Sequence, residues 1–353
     1  MAVKKELNEI LENLKLLSLK KNKKIGFCIG NTRKVSASGY FYTPIRVTEK
    51  LVAGSVIVYS VKQAREIINY IDGKVDYILV DSEKKISRKF YNEDIGNIER
   101  EVRDSTKISE VITFKGNDLT VDSIDIILEQ LFAKHKRGIG GKKATIIGSG
   151  NIGSKLALRL VERGVDVVIT RRNSRNLKTI VKALNLIKPQ ETLAKISGTV
   201  DNLAASKDAD IIIGLTSGKP VITTRIISNV SKSAIFMDAG KGCFSPSAIK
   251  AAKKRDLTIY RPDIKIGFEG FISSLFKTRE VLEHSFGRRL ILDMPIVSGL
   301  VGSEGEIVVD NFQFPRVIYG IADGFGGFID KLNKSQSKKI NTLSNAIGEA
   351  KIT

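Results

Sequence analysis

Lys142-Lys143-Ala144-Thr145-Ile146-Ile147-Gly148-Ser149-Gly150-Asn151-Ile152-Gly153 decides the fold of this chain. The run ahead of Gly148 is short, apolar and β-branched, which reads as a buried strand. Behind it, Ile152, Leu156 and Leu160, with Ala157 and Val161, recur at helical spacing over residues 151–163, and Gly164 supplies the stop. A second strand-like run, residues 165–170, completes a βαβ unit with G-x-G-x-x-G at its turn. Each glycine then has a task. Gly148 allows the tight turn, Gly150 lets a pyrophosphate approach the backbone, and Gly153 lets the helix lie close to the strand, with the phosphates on the helix N-terminus. Gly148, Ser149, Gly150, Asn151, Ile152 and Gly153 are therefore cofactor-binding candidates. The alternative is a glycine-rich strand-helix turn without a ligand.

Outward from this unit, short apolar runs continue at residues 196–200, 210–215, 234–238 and 257–260, separated by helical stretches. Six such runs predict a Rossmann-type, doubly wound parallel sheet. Toward the N-terminus the same alternation appears, with strand-like runs at 25–29, 55–59, 75–80 and 110–114 and helices at 61–70 and 95–103. A long helix over 120–134 is broken by Arg137-Gly138-Ile139-Gly140-Gly141. The fold class is α/β throughout. Residues 1–24 form an amphipathic helix, for packing or for dimer contact, 25–140 a substrate-side α/β domain, and 141–313 the dinucleotide domain. Helices are expected at 278–289, 314–332 and 335–349, with 314–353 packing back on the first domain, although Tyr319-Gly320 and Gly324 to Gly327 place four glycines in the middle one.

The end of the second strand of such a sheet selects the dinucleotide, since a carboxylate there accepts from a ribose 2′-hydroxyl and repels a 2′-phosphate. Here the sequence is Thr170-Arg171-Arg172-Asn173, with no carboxylate and two guanidiniums. Arginine forks suit phosphate, so NADP is expected over NAD, bound with help from all four residues. Ligands lie outside the carboxyl ends of the strands, which adds Thr216, Ser217 and Gly218 after the fourth run and Gly240 and Lys241 after the fifth. The glycines and small residues allow a flat ring to approach. Lys241 is either a proton donor, an anchor for an anionic substrate, or a solvated turn lysine. Cys243 reads as a packing residue.

This order, together with Ala209-Asp210-Ile211-Ile212-Ile213-Gly214-Leu215-Thr216-Ser217-Gly218-Lys219-Pro220, resembles the methylenetetrahydrofolate and shikimate dehydrogenases of the amino-acid-dehydrogenase-like group. The resemblance spans about residues 115–245. Arg171-Arg172-Asn173-Ser174 is similar to the NADP-binding segment of the shikimate enzymes, and Phe236 to Gly240 to the turn beside the nicotinamide in the folate enzymes. It implies a two-domain oxidoreductase whose substrate faces the nucleotide domain across a cleft. Neither family's catalytic pair is found with its flanks in residues 25–115, so neither substrate follows.

On the substrate side the polar strand ends are the candidates. Asn31 and Arg33 follow the first run as substrate contacts, with Arg33 placed to clamp a carboxylate or phosphate. Tyr59 and Lys62 follow the second as catalytic candidates beside Lys241, Lys62 polarising a carbonyl or moving a proton. Asp81-Ser82 follows the third. His284 reads as a surface histidine. For Lys62, the plain alternative is a solvated lysine at a helix start.

Composition narrows the remaining classes. The chain has 353 residues, 42% of them hydrophobic, and a formal charge of +20, which excludes a disordered class. Two cysteines and two histidines make neither a disulfide framework nor a metal site, and no apolar run reaches membrane-spanning length. A cytoplasmic homo-oligomer, such as a dimer, acting on a small molecule is expected, with neither membrane nor specific nucleic acid as partner. The basic excess is diffuse, and no basic stripe or nucleic-acid motif accompanies it. The leading reading is an NADP-dependent oxidoreductase that passes hydride between the nicotinamide and a small anionic substrate. A non-catalytic NADP(H) sensor or scaffold and a polyanion binder are the alternatives.

Overall fold

A computed structural model describes residues 2–31, 39–83, 97–347 and 351–352, and the chain divides into two compact units, Met1–Phe271 and Ile272–Thr353. The first opens with α1 (Ala2–Lys21), whose Leu7, Leu11 and Leu14 are fully buried at the spacing of one helix face. The sheet they cover is built from β1 (Lys24–Asn31), β2 (Phe41–Val47), β3 (Leu51–Val58), β4 (Tyr77–Asp81) and β5 (Glu110–Phe114). Helices α2 (Val61–Ile71) and α3 (Ile98–Ser105) connect its strands. The order is β2-β3-β1-β4-β5, parallel except for β2, which runs antiparallel to β3. The parallel strands occupy the four apolar runs read from the sequence, because strands buried on both faces need continuous apolar stretches. The antiparallel edge strand β2 has no such run and escaped that reading.

Helix α4 (Gly116–Phe132) leads into a second sheet made of β6 (Lys143–Ile147), β7 (Asp166–Thr170), β8 (Ile196–Thr199), β9 (Ile211–Gly214), β10 (Ile235–Asp238) and β11 (Ile259–Tyr260). Between these strands run α5 (Asn151–Glu162), α6 (Ser174–Ile187), α7 (Asn202–Ala205), α8 (Thr224–Ser228) and α9 (Pro246–Lys254). All six strands are parallel, in the order β11-β10-β9-β6-β7-β8. The order reverses at β6, so the crevice at its carboxyl end is the topological switch point of a doubly wound sheet. Helices α4 and α5 are tied by Asp125, whose nearly buried carboxylate lies 2.8 Å from Arg163 Nε and 3.5 Å from Arg159 Nη1.

Helix α10 (Lys265–His284) starts in the first unit. There Gly267 lies so close to α4 that a Cβ would stand 2.2 Å from the Leu119 carbonyl, and its N–H donates to Ser123 Oγ at 2.9 Å. The second unit is a sheet of β12 (Gly287–Ile291), β13 (Met294–Ser298), β14 (Ile307–Val309), β15 (Val317–Ile321) and β16 (Lys351–Ile352), in that order, with α11 (Lys334–Ile347) between the last two strands in sequence. Ile340 and Leu343 of α11 pack into a core with Ile296, Ile307 and Ile318. One expectation is corrected here. The last strand of the doubly wound sheet, β11, falls in the run expected at 257–260, and the helix expected over residues 314–332 is instead β15 and turns. The reason is local: Gly320, Gly324 and Gly326 all adopt positive φ, which a right-handed helix excludes and a turn uses.

Candidate functional site

At the switch point, the turn between β6 and α5 takes the shape its glycines were read to need. Gly148 has φ +114, and a Cβ on it would lie 2.7 Å from the Leu215 carbonyl. A Cβ on Gly153 would lie 2.2 Å from the Gly148 carbonyl. Gly150 differs, since its Cβ position is open space. One glycine therefore lets the loop turn, one lets the helix close on the strand, and Gly150 leaves room above the helix N-terminus. Ser149 adds a polar feature, because its buried Oγ has no hydrogen-bond partner among the described residues. Its carbonyl accepts from Arg171 Nη1 at 2.5 Å and its N–H donates to the Thr170 carbonyl at 3.0 Å.

This turn forms one wall of a groove of about 890 Å³, lined also by Thr170, Arg171, Arg172 and Asn173 from the end of β7 and by Leu215, Thr216, Ser217 and Lys219 after β9. The volume lies within the usual range for cofactor clefts. The two arginines divide their work. Arg171 is half-buried and holds the glycine turn, while Arg172 is exposed and has no hydrogen-bond partner among the described residues. Asn173 caps α6, its Oδ1 accepting from the Asn176 N–H at 2.9 Å. The groove thus offers an open glycine turn at a helix N-terminus, the unpartnered Ser149 hydroxyl and an exposed guanidinium, features that suit an anionic ligand. A pyridine dinucleotide fits these residues.

The other wall rests on a second turn. Thr216 donates through Oγ1 to the Lys219 carbonyl at 2.7 Å, and Ser217 and Gly218 both have positive φ. Gly240 and Gly218 lie behind this wall, packed so that a Cβ on Gly240 would stand 3.0 Å from Thr216 N and one on Gly218 3.1 Å from the Lys241 carbonyl. Lys241 itself has φ +56, a region that non-glycine residues adopt at a cost. Asp238 holds the turn in place. Its carboxylate accepts from the N–H groups of Gly242 at 2.8 Å and Cys243 at 3.0 Å, with Arg261 at 3.4 Å. Burial alone raises such a carboxyl, but the Cys243 and Gly242 N–H bonds and the Arg261 charge outweigh it and hold the group below its ordinary range. Cys243 packs under the turn, as expected of it, 3.4 Å from Thr216 N.

Lys241 lines a different cavity, of about 350 Å³, at the carboxyl ends of the first sheet. Its polar lining includes Asn31 at the end of β1, Thr43 and Arg46 of β2, Ser55 of β3, Asp81 of β4, and Asn117 and Thr120 of α4, and Phe114, Ile264 and Phe268 supply apolar wall. Asn117 ties α4 to α5, its Nδ2 donating to Oδ1 of Asn151, the first residue of α5, at 3.2 Å. Asp81 accepts from the Gly116 N–H at 3.2 Å and orients the start of α4. Cys28 forms part of the wall, and burial, slightly offset by the Arg46 charge, pushes its thiol up to about 12. It is an inert wall residue at neutral pH.

The residues read from the sequence therefore separate. Gly148, Ser149, Gly150, Thr170, Arg171, Arg172, Asn173, Thr216 and Ser217 line one groove, and Asn151, Ile152 and Gly153 begin the helix beneath it. Lys241 and Asn31 meet in the second cavity. Tyr59 and Lys62 line neither. Ser60 caps α2 by accepting from the Gln63 N–H at 3.2 Å, which leaves Lys62 exposed on the first turn, while Tyr59 is buried. Arg33 lies outside the described residues. The sequence reading missed Arg46 and Asn117. Arg46 was hidden because Thr43-Pro44-Ile45-Arg46 lacks strand alternation, and Asn117 because only the packing of α4 on α5 brings it to the site.

Residues 143–239 match the model of a family described as NADP oxidoreductase, coenzyme F420-dependent. A glutamyl-tRNA reductase of Thermosipho melanesiensis is 26% identical over 179 residues, 50% of this chain and 42% of that protein. A glycerol-3-phosphate dehydrogenase [NAD(P)+] of Bacillus subtilis is 24% identical over 123 residues, 33% of this chain and 36% of that protein. The chain thus spans less than half the length of these curated relatives. A solved shikimate dehydrogenase in complex with NADP+ is similar at 14% identity and a TM-score of 0.38, covering 72% of this chain and 96% of that one. Taken with the sheet order and the glycine turn, the match over residues 143–239 means that the chain carries a pyridine-nucleotide oxidoreductase-like fold.

Proposed function

We propose that the protein is an NADP-dependent oxidoreductase acting on a small anionic substrate held in the Lys241 cavity. The observation that carries this reading is the contact between the two turns. The wall of the nucleotide groove, Thr216 to Gly218, is packed against the very turn whose Lys241 lines the second cavity. NADP is favoured over NAD by Arg172, an exposed guanidinium at the end of β7 where no carboxylate stands. Bound in the groove, the reduced nicotinamide supplies a hydride. Lys241 holds a proton for the substrate oxygen on which negative charge develops, so that a carbonyl and one proton become a hydroxyl once hydride is accepted. Asp238 fixes the turn and keeps that lysine in its unusual backbone conformation. Asn117 and Asp81 orient the start of α4 beside the substrate. A homo-oligomer remains our expectation for the assembly.

Consumption of NADPH with a panel of oxo acids, imines and pterins tests the activity. Turnover of at least one member, lost in Lys241→Met while NADPH binding persists, is the expected result. NADPH binding without turnover of any member would instead favour the sensor reading.

A further inference from the structure

We infer that Arg46 is the anchor for a carboxylate of the substrate, and that a β-bulge in β2 exists to aim it. The inference deepens the proposed function and rests on that reading for the word substrate. Its starting point is the register of β2 on β3. Thr43 pairs with Ser55, and Arg46 pairs with Ala53, so three steps along β2 match two along β3. In a regular strand Thr43 and Arg46, three apart, would face opposite sides of the sheet. Their partners Ser55 and Ala53 are two apart and share a side. The extra residue therefore turns Arg46 onto the face of Thr43 and Ser55, all three of which line the cavity. Pro44 within this segment has no N–H to lose from the ladder, and the segment lies on an edge strand, where such an interruption costs least.

The guanidinium so placed is under-used. Its side chain is 18% exposed, Nη1 donates to Thr43 Oγ1 at 3.0 Å, and Nη2 stands 4.0 Å from an exposed Asp263. Nε is buried with no hydrogen-bond partner among the described residues. A desolvated donor on a permanent cation is costly to leave unpaired. The Nε and Nη2 edge is the fork that takes a planar carboxylate through two parallel bonds. The cavity around it, about 350 Å³, with the Asn31 amide, the Ser55 hydroxyl and Lys241 on its wall, is of a size for a small metabolite and not for a polymer. The occupant is accordingly a short carboxylic acid whose reacting carbon lies toward Lys241 and whose acid group lies on Arg46.

The test separates this assignment from the nucleotide reading. Straight-chain 2-oxo acids of two to six carbons, and their uncharged primary amides, are titrated calorimetrically into the full chain without nucleotide and again with saturating NADP+. We expect at least one acid to bind, its amide to bind at least tenfold more weakly, and Arg46→Met to weaken the acid at least tenfold while Arg46→Lys recovers part of the loss. NADPH affinity, measured by its own fluorescence, should be the same in all three proteins. Equal binding of acid and amide, binding of no acid at all, or an acid affinity unchanged in Arg46→Met would overturn the assignment. If NADPH fails to bind the wild type, the oxidoreductase reading falls, and the acid titration still decides the role of Arg46.

Discussion

Two residues at the site make opposite demands on their surroundings, and each gives a measurable outcome. Gly150 has open space where a Cβ would stand, so Gly150→Val should leave the melting temperature within a few degrees of wild type and abolish dinucleotide binding. A valine variant that binds normally would show that phosphates do not approach there. Asp238 is the contrary case, a carboxylate committed to the chain itself through the Gly242 and Cys243 N–H groups. Its pKa is depressed on folding, so the stabilisation is complete above the unfolded value of about 3.9 and is lost as pH falls through the folded value. Asp238→Asn should cost about 1–2 kcal/mol near pH 7. Urea denaturation should find that gap shrinking below about pH 4, and a gap constant with pH would contradict the account. Lys241, on the turn this carboxylate holds, should show the effect indirectly as a fall in kcat with nucleotide affinity retained.

At the scale of elements, most of the groove at the glycine turn is legible in the amino-acid sequence and much of the Lys241 cavity is not. The strand, glycine turn and helix over residues 142–163 announce themselves, because Gly148 and Gly153 answer backbone contacts made within the same βαβ unit or with the end of β9, while Gly150 leaves the turn open. The Lys241 cavity depends on packing that is distant in sequence: a bulge on β2, the first turn of α4, and the Lys241 turn. Tyr59 and Lys62 are attractive as polar residues at a strand end, but the cap by Ser60 starts α2 at once and leaves Lys62 in solvent. The helix expected over 314–332 does not form because Gly320, Gly324 and Gly326 take positive φ, and β15 and turns occupy the segment. One packing joint can be tested at this scale. Asp125 is nearly buried between Arg159 and Arg163, which themselves reach water, so Asp125→Ala should destabilise by about 1–3 kcal/mol without changing the denaturant slope.

Across the whole molecule, the +20 charge has acquired specific parts without becoming a single surface. Arg171 holds the glycine turn, Arg172 stands at the groove, Arg46 faces the second cavity, and Arg159 and Arg163 join α4 to α5. Among the described residues no helix is long and apolar enough to cross a membrane. The central claim is that the groove at the switch point takes a pyridine dinucleotide with a 2′-phosphate. It is tested most directly by titrating NADPH and NADH in parallel into wild type and the variant Arg172→Ala, which leaves Arg171 on the glycine turn, following the fluorescence of the reduced nicotinamide. The account predicts tighter binding of NADPH than NADH by wild type, and a loss of at least tenfold in NADPH affinity in the variant with a much smaller loss for NADH. Equal losses for both nucleotides would contradict the 2′-phosphate assignment, and binding of neither by wild type would contradict the claim itself.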